Sequence, residues 1–282
     1  MTLGQAVVHG IVQGLTEFLP ISSIAHLKIV AQLLGWADPG PAFSAVIQLS
    51  VLASLWMYFN RDIARITRAT ISGLVRGHPL DSPDAKMGWM IAAGTVPIII
   101  LGLLFRHQVE TSLRSLYVIA GAMIGLAVVL MLAEAVEIHR KRSGHKLKGL
   151  SDLGWFDAIV VGLSQCAALI PGASRSGSTI TGGLFLGMTR ETAARFSFLL
   201  CIPAVTAAGV YELIKARHEL LASQADAFNL FAGTAVSAVV GYVAIAFLLG
   251  YLRKHSTWVF IIYRLALGGL LLALLHLGKL TP

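Results

Sequence analysis

Two stretches hold the residues with chemical capacity. QGLTEFLPISSIAH (Gln13–His26) sets a carboxylate, Glu17, before two serines, Ser22 and Ser23, and an imidazole, His26. PGASRSGSTITGG (171–183) sets one guanidinium, Arg175, among hydroxyls and glycines. His9, Gln13 and Glu17 recur every four residues and share one helical face, while Val8, Ile11, Val12, Leu15 and Phe18 cover the others. If the chain resumes as a helix at Pro20, where the missing N–H costs nothing, Ser22, Ser23 and His26 face one place. Pro171-Gly172 is likewise expected to reopen a helix whose first turns hold Ser174, Arg175, Ser176, Ser178 and Thr179. Unpaired N–H groups, a partial positive charge, hydroxyls and a forked guanidinium at a helix start make an anion site, and the combination suits phosphate.

Such groups need protein around them, because the rest of the chain is oily. Of 282 residues, 56% are hydrophobic and 13% charged, and the mean hydropathy is +0.76, far to the apolar side of soluble proteins. Uncharged runs at Phe43–Asn60, Met87–Phe105, Ser115–Ala133, Phe196–Tyr211 and Ala227–Leu252, with Ser256–Gly278 broken by Arg264 and His276, predict six membrane spans. Met1–Glu17 lacks a basic start and a cleavage site and is expected to stay in the product. Cys166 and Cys201 lie in apolar surroundings at no metal-ligand spacing and read as packing residues. The net charge of +8 comes from basic residues in short loops beside the spans, so lipid and topology explain it and nucleic acid does not.

Two segments are not spans. His9–Lys28 carries Glu17 and Pro20 at its centre, and Trp155–Arg190 is cut by PGASRSGS; each predicts two short helices with a break, a re-entrant hairpin. The chain also matches itself. Gly10-Ile-Val-Gln13 pairs with Gly162-Leu-Ser-Gln165, and Leu19–Ser23 pairs with Ile170–Ser174 after a slip of one residue. Phe43-Ser44 pairs with Phe196-Ser197, Ala93-Gly94-Thr95 with Ala232-Gly233-Thr234, and Gly125 with Gly268. The expected fold is therefore an all-α polytopic membrane protein in one domain. Residues 1–138 form a first repeat, 139–152 a basic linker and 153–282 a second repeat, each with one hairpin and three spans. An odd number of crossings inverts the second half and brings both breaks together near the midplane, giving one composite site. The excess of Arg and Lys in alternate loops, HRKRSGHKLKG among them, predicts that both termini are on the outer side.

The paired motifs resemble those of the bacterial undecaprenyl pyrophosphate phosphatases of the bacitracin-resistance type. FSFLLCIPA (Phe196–Ala204) and IIYR (Ile261–Arg264) agree as well, so the resemblance covers nearly the whole chain. It implies a hydrolase of the bacterial cytoplasmic membrane, its active site opening on the outer side, that removes the terminal phosphate from a polyprenyl diphosphate and recycles the carrier lipid of peptidoglycan synthesis. It further implies that Glu17 holds a divalent cation, Mg²⁺ or Ca²⁺, or acts as base. Ser23 and His26 would supply nucleophile and proton transfer, with the attacking atom open. Arg175 would join them in catalysis and, with Gln13, Ser22, Gly172, Ser174, Ser176 and Thr179, would also bind the diphosphate. Gln13 stands where the family often has glutamate, which leaves Glu17 to carry the metal site. The expected partners are the prenyl diphosphate and membrane lipid, and a homodimer stays open.

Other polar residues have quieter readings. His9 reads as structural, Gly182-Gly183 and Gly187 as helix contacts, Gln48 as a neighbour of the site, and Arg190 and Arg195 as interfacial anchors. Arg264 and Glu134 either pair with each other or snorkel to the inner surface. A transporter or lipid flippase is the rival function, since broken helices at the midplane are transporter architecture. A nucleophile and a proton carrier beside an anion site favour the enzyme. A purely structural scaffold would leave both polar hairpins without a purpose.

Overall fold

The computed structural model describes residues 1–37, 46–220 and 223–280. Their regular structure is helical, apart from one isolated bridge between Lys148 and Met188. A first hairpin consists of α1 (Leu3–Phe18) and α2 (Ser23–Leu33), followed by α3 (Leu49–Val75), α4 (Pro83–Leu104), a short α5 (Arg106–Glu110) and α6 (Leu116–Arg142). A second consists of α7 (Trp155–Gln165), prolonged by a 3₁₀ turn at Cys166–Leu169, and α8 (Arg175–Phe185). Then come α9 (Arg190–Leu220), α10 (Gln224–Leu252) and α11 (Trp258–His276).

Among the described residues five helices are long and apolar enough to cross a membrane: α4, α6, the Arg190–Lys215 part of α9, α10 and α11. Trp155–Leu169 is a shorter apolar helix. The chain is an all-α polytopic membrane protein. The span expected at Phe43–Asn60 differs. Phe43, Ser44 and Ala45, and with them the pairing of Phe43-Ser44 with Phe196-Ser197, lie outside the described residues, and α3 does not end where its charges begin. It kinks at Phe59 and runs on through Arg61, Asp62, Arg65 and Arg68. Hydropathy registers a change of solvent, whereas a helix ends where its capping changes, here at Arg76 before Gly77 with φ +75°.

The hairpins are held by one kind of contact made twice. A Cβ on Gly10 of α1 would stand 2.4 Å from the Gly233 carbonyl oxygen on α10, and one on Gly233 would stand 2.8 Å from that of Ala6. A Cβ on Gly162 of α7 would stand 2.2 Å from the Gly94 oxygen on α4, and one on Gly94 would stand 2.8 Å from that of Ala158. Gly10 matches Gly162 in sequence and Gly94 matches Gly233, so the same approach recurs with its partners exchanged between the halves. Helices touching backbone to backbone gain dispersion contact that no larger residue permits. Gly162→Leu is expected to overpack this contact by roughly 3 kcal/mol, lowering the melting temperature in detergent by about 6–10 °C. Gly125→Leu, with nothing within 4 Å of its Cβ position, serves as the unshifted control in the same fluorimetric melt.

The main core lies beneath the first hairpin, where Phe18 meets Phe198 edge-on at 5.3 Å and Phe59 closes against the same ring. The last helices of the two halves, α6 and α11, pack on each other, and α6 also packs on α2 and α8 of the hairpins.

Candidate active site

The breaks are wider than one proline turn. Helix stops at Phe18 and resumes at Ser23; it stops at Leu169 and resumes at Arg175. The expected restarts at Pro20 and at Pro171-Gly172 are thus corrected. Ser22 (φ +75°) and Ser174 (φ +71°) are the N-caps and, among the described residues, the non-glycine residues at positive φ. Each conformation costs about 1–3 kcal/mol and needs outside support.

Arg264 supplies that support. Its fully buried guanidinium donates to the carbonyl oxygens of Pro20 (3.3 Å), Gly172 (3.2 Å) and Ala173 (2.8 Å), and also to Met123 (3.1 Å) and Ala122 (3.4 Å) on α6. Backbone carbonyls freed by a break inside an apolar bundle must find donors, and one planar fork reaches both breaks. Gly172 (φ +96°) lets its chain press on α6, where a Cβ would stand 2.3 Å from the Ile119 oxygen. The offset from Ser22 to Ser174 equals that from Gly10 to Gly162, so no slip is needed: Ser22, rather than Ser23, corresponds to Ser174.

Arg264 therefore neither pairs with Glu134 nor snorkels. Glu134 accepts hydrogen bonds from Thr257 at the start of α11 (N–H 3.2 Å, hydroxyl 2.7 Å) and an ion pair from Arg190, which also binds Glu137 at 2.5 Å. Arg264 lies seven residues beyond Thr257, about 10 Å further along the helix, out of reach of that carboxylate. Arg190, read as an anchor, is the guanidinium of a buried cluster. Arg195 binds Asp62 at 2.9 Å.

At the crossing of the breaks stands Glu17, its side chain 6% exposed. One carboxylate oxygen accepts from the Ser23 hydroxyl (2.5 Å) and the Gln13 amide (2.8 Å), and the other is paired with Arg175. The two motifs, far apart in sequence, thus meet at one carboxylate. Gln13 keeps its other amide atom, Oε1, buried with no hydrogen-bond partner among the described residues. Ser174 caps α8 by accepting from the Gly177 N–H at 3.2 Å, and a Cβ on Gly177 would press on Arg264. Among the described residues no three His, Cys, Asp or Glu side chains cluster for a metal.

Glu17, Ser22, Ser23, Gly172, Ser174 and Arg175 share a cavity of about 490 Å³. Its walls are apolar, with Ile98, Ile99, Leu103, Leu169 and the alanines at 204, 207 and 208, and Gln48 joins them. Arg106, bonded through its guanidinium to the Tyr211 hydroxyl and lying 4.6 Å over that ring, also borders the space.

Four predicted site residues do not border the cavity, the first of them Gln13, which stands behind Glu17. Ser176 fastens the hairpins, donating to the Leu19 carbonyl at 3.1 Å, and Thr179 is fully buried against Ser197 at 2.5 Å. Neither borders the cavity. Nor does His26, whose Nδ1 bonds the Ser22 carbonyl (2.6 Å) and whose Nε2 bonds the Tyr263 hydroxyl (2.6 Å). Sequence reasoning missed Arg106, Tyr211 and the bracing role of Arg264. The signal for Arg264 was present, a lone guanidinium in an apolar span; Arg106 and Tyr211 at span ends carried none. His9 is structural as read, bonded to the Gln5 carbonyl and stacked on Trp36.

The chain is similar to known proteins along its whole length. The chain is 61% identical over 280 residues to an undecaprenyl-diphosphatase of Chloroherpeton thalassium, with 99% of each chain covered. It is 60% identical to one of Chlorobium phaeovibrioides and 54% identical to one of Chlorobaculum tepidum, each over 282 residues and the whole of both chains. The model of the bacitracin resistance protein BacA family matches residues 6–270, from the glycine contact of α1 to the last turns of α11, and the chain belongs to that family.

Proposed function

We propose that the protein hydrolyses undecaprenyl diphosphate, or a similar polyprenyl diphosphate, to the monophosphate carrier lipid of peptidoglycan synthesis, and that this activity confers resistance to bacitracin. The observation that carries the reading is a hydroxyl held 2.5 Å from a carboxylate whose other oxygen binds an arginine, on the floor of a cavity with apolar walls. A headgroup bearing two phosphates fits the floor, and the first isoprene units fit the walls. The relatives, undecaprenyl-diphosphatases by name, support the same reading.

In this reading Ser23 Oγ forms a bond to the terminal phosphorus while its proton passes to Glu17. The bond from that phosphorus to the bridging oxygen breaks, and the prenyl monophosphate leaves with the electron pair and regains a proton from Glu17. Water then attacks the phosphoserine, giving its proton to the same carboxylate, and orthophosphate leaves as the Ser23 hydroxyl re-forms. Arg175 and the α8 N–H groups stabilise charge on the transferring phosphoryl oxygens. Glu17 and the unpartnered Gln13 Oε1, oxygen donors of the kind a hard cation takes, would hold Mg²⁺ or Ca²⁺. Such an ion, when bound, neutralises phosphate charge and makes phosphorus more electrophilic.

The exchanged glycine contacts and the paired positive-φ serines support an inverted repeat of two re-entrant hairpins. That topology and the loop charges support a location in the cytoplasmic membrane with the termini and the cavity opening on its outer side. The test is orthophosphate release from a prenyl diphosphate by purified protein in detergent, where no gradient exists to drive a transporter or flippase. Wild type is expected to release phosphate, and Ser23→Ala to be at least about a hundredfold slower with unchanged melting temperature. Absence of release from wild type overturns the function, and full activity in Ser23→Ala overturns the nucleophile.

A further inference from the structure

The two breaks are built alike except in how their cap residues are held. Ser174 uses its own hydroxyl as a cap, accepting from Gly177 N–H, and its carbonyl accepts from the Ser178 hydroxyl at 2.8 Å. Ser22 makes no side-chain cap bond, so its hydroxyl is left to the cavity it borders. Its carbonyl accepts from His26 Nδ1 at 2.6 Å. The step from Ser22 to His26 equals that from Ser174 to Ser178. One bond, from a side chain to the carbonyl of a strained N-cap, is therefore made by imidazole in one half and by a simple hydroxyl in the other.

A carbonyl only accepts, so Nδ1 carries the hydrogen and Nε2 offers its lone pair, which the Tyr263 hydroxyl fills at 2.6 Å. The two rings lie nearly parallel, 7° apart, with centroids separated by 5.6 Å. Both imidazole nitrogens are thus engaged away from Ser23, whose hydroxyl points to Glu17 instead.

We propose that Tyr263 and His26 form a clamp on the Ser22 backbone, Tyr263 fixing the tautomer of His26 and His26 holding the positive-φ turn that aims Ser23 at Glu17. Both are positioning residues for the phosphatase reaction. The inference rests on the function proposed above, and Ser178 shows that the holding bond needs a donor and no imidazole chemistry.

The experiment compares His26→Ala, His26→Ser, Tyr263→Phe and the double variant Tyr263→Phe/His26→Ser in detergent. Orthophosphate release from a prenyl diphosphate is measured together with hydrogen–deuterium exchange over the segment 18–28. His26→Ser recreates the Ser178 arrangement. It is expected to keep kcat within about tenfold of wild type, while His26→Ala loses about a hundredfold with little change in KM and exchanges faster across the break. Tyr263→Phe is expected to cost about tenfold in wild type and less than about twofold in the His26→Ser background, because it acts only through the imidazole. A proton-carrying His26 predicts the reverse, with His26→Ser as inactive as His26→Ala, and that result overturns the clamp. If His26→Ser fails to fold, Tyr263→Phe decides: unchanged kcat and unchanged exchange overturn the proposal. Should wild type release no phosphate, the function fails while exchange still judges the clamp.

Discussion

Arg175→Met is expected to slow phosphate release from a prenyl diphosphate by about 10²–10³-fold, the usual effect of removing one donor aimed at transition-state charge. It is also expected to destabilise the protein. Arg175 is the cation on Glu17, and both side chains are largely buried, 17% and 6% exposed. Stranding such a carboxylate costs about 3–5 kcal/mol, more than the net worth of the pair itself. The two effects separate in Glu17→Gln/Arg175→Met. A neutral amide needs no cation, so the melting temperature recovers toward wild type while activity stays lost. Arg175→Lys keeps the charge without the fork and should fall between. Melting curves and phosphate release on the same preparations check the whole set; normal turnover in Arg175→Met removes Arg175 from the site.

Arg264→Met is expected to weaken the fold by at least about 3 kcal/mol, because carbonyls buried at both breaks lose their donor at about 1–3 kcal/mol each, offset in part by the desolvation that an apolar side chain avoids. Activity should fall with it even well below the variant's melting temperature, since Pro20, Gly172 and Ala173 flank the two caps that shape the cavity floor. Arg264→Lys should recover little, as one ammonium does not span both breaks. Glu134→Gln should rescue neither variant. A buried ion pair between Arg264 and Glu134 would predict rescue, so the double variant distinguishes a brace for backbone from a partner for a carboxylate. Differential scanning fluorimetry together with phosphate release at low temperature reads both arms.

The difference between these two arginines shows where sequence reading succeeds. The place of Arg175 at the meeting of the breaks was legible because its neighbours are distinctive: hydroxyls and glycines after a proline interrupt an apolar run. Glu17 was legible for a similar reason, a carboxylate in an apolar helix with Gln13 one turn before it. That the two meet followed from the internal repeat, which implies that the breaks lie together before any contact is known. The spans followed from hydropathy, with the exception of α3, where an amphipathic continuation past Asn60 leaves no mark in a hydropathy profile.

Composition and pattern alone determined the membrane class, the two interrupted hairpins and the polar residues that stand at their breaks, because each depends on local periodicity or on the cost of polarity in oil. Tertiary structure alone decided which carbonyls Arg264 braces, that Arg190 rather than Arg264 answers Glu134, and that His26 turns to Tyr263 instead of Ser23. Those choices depend on rotation and axial offset between helices distant in sequence. Their side chains reach only a few ångströms, so a shift of two turns exchanges one partner for another while the sequence pattern stays the same.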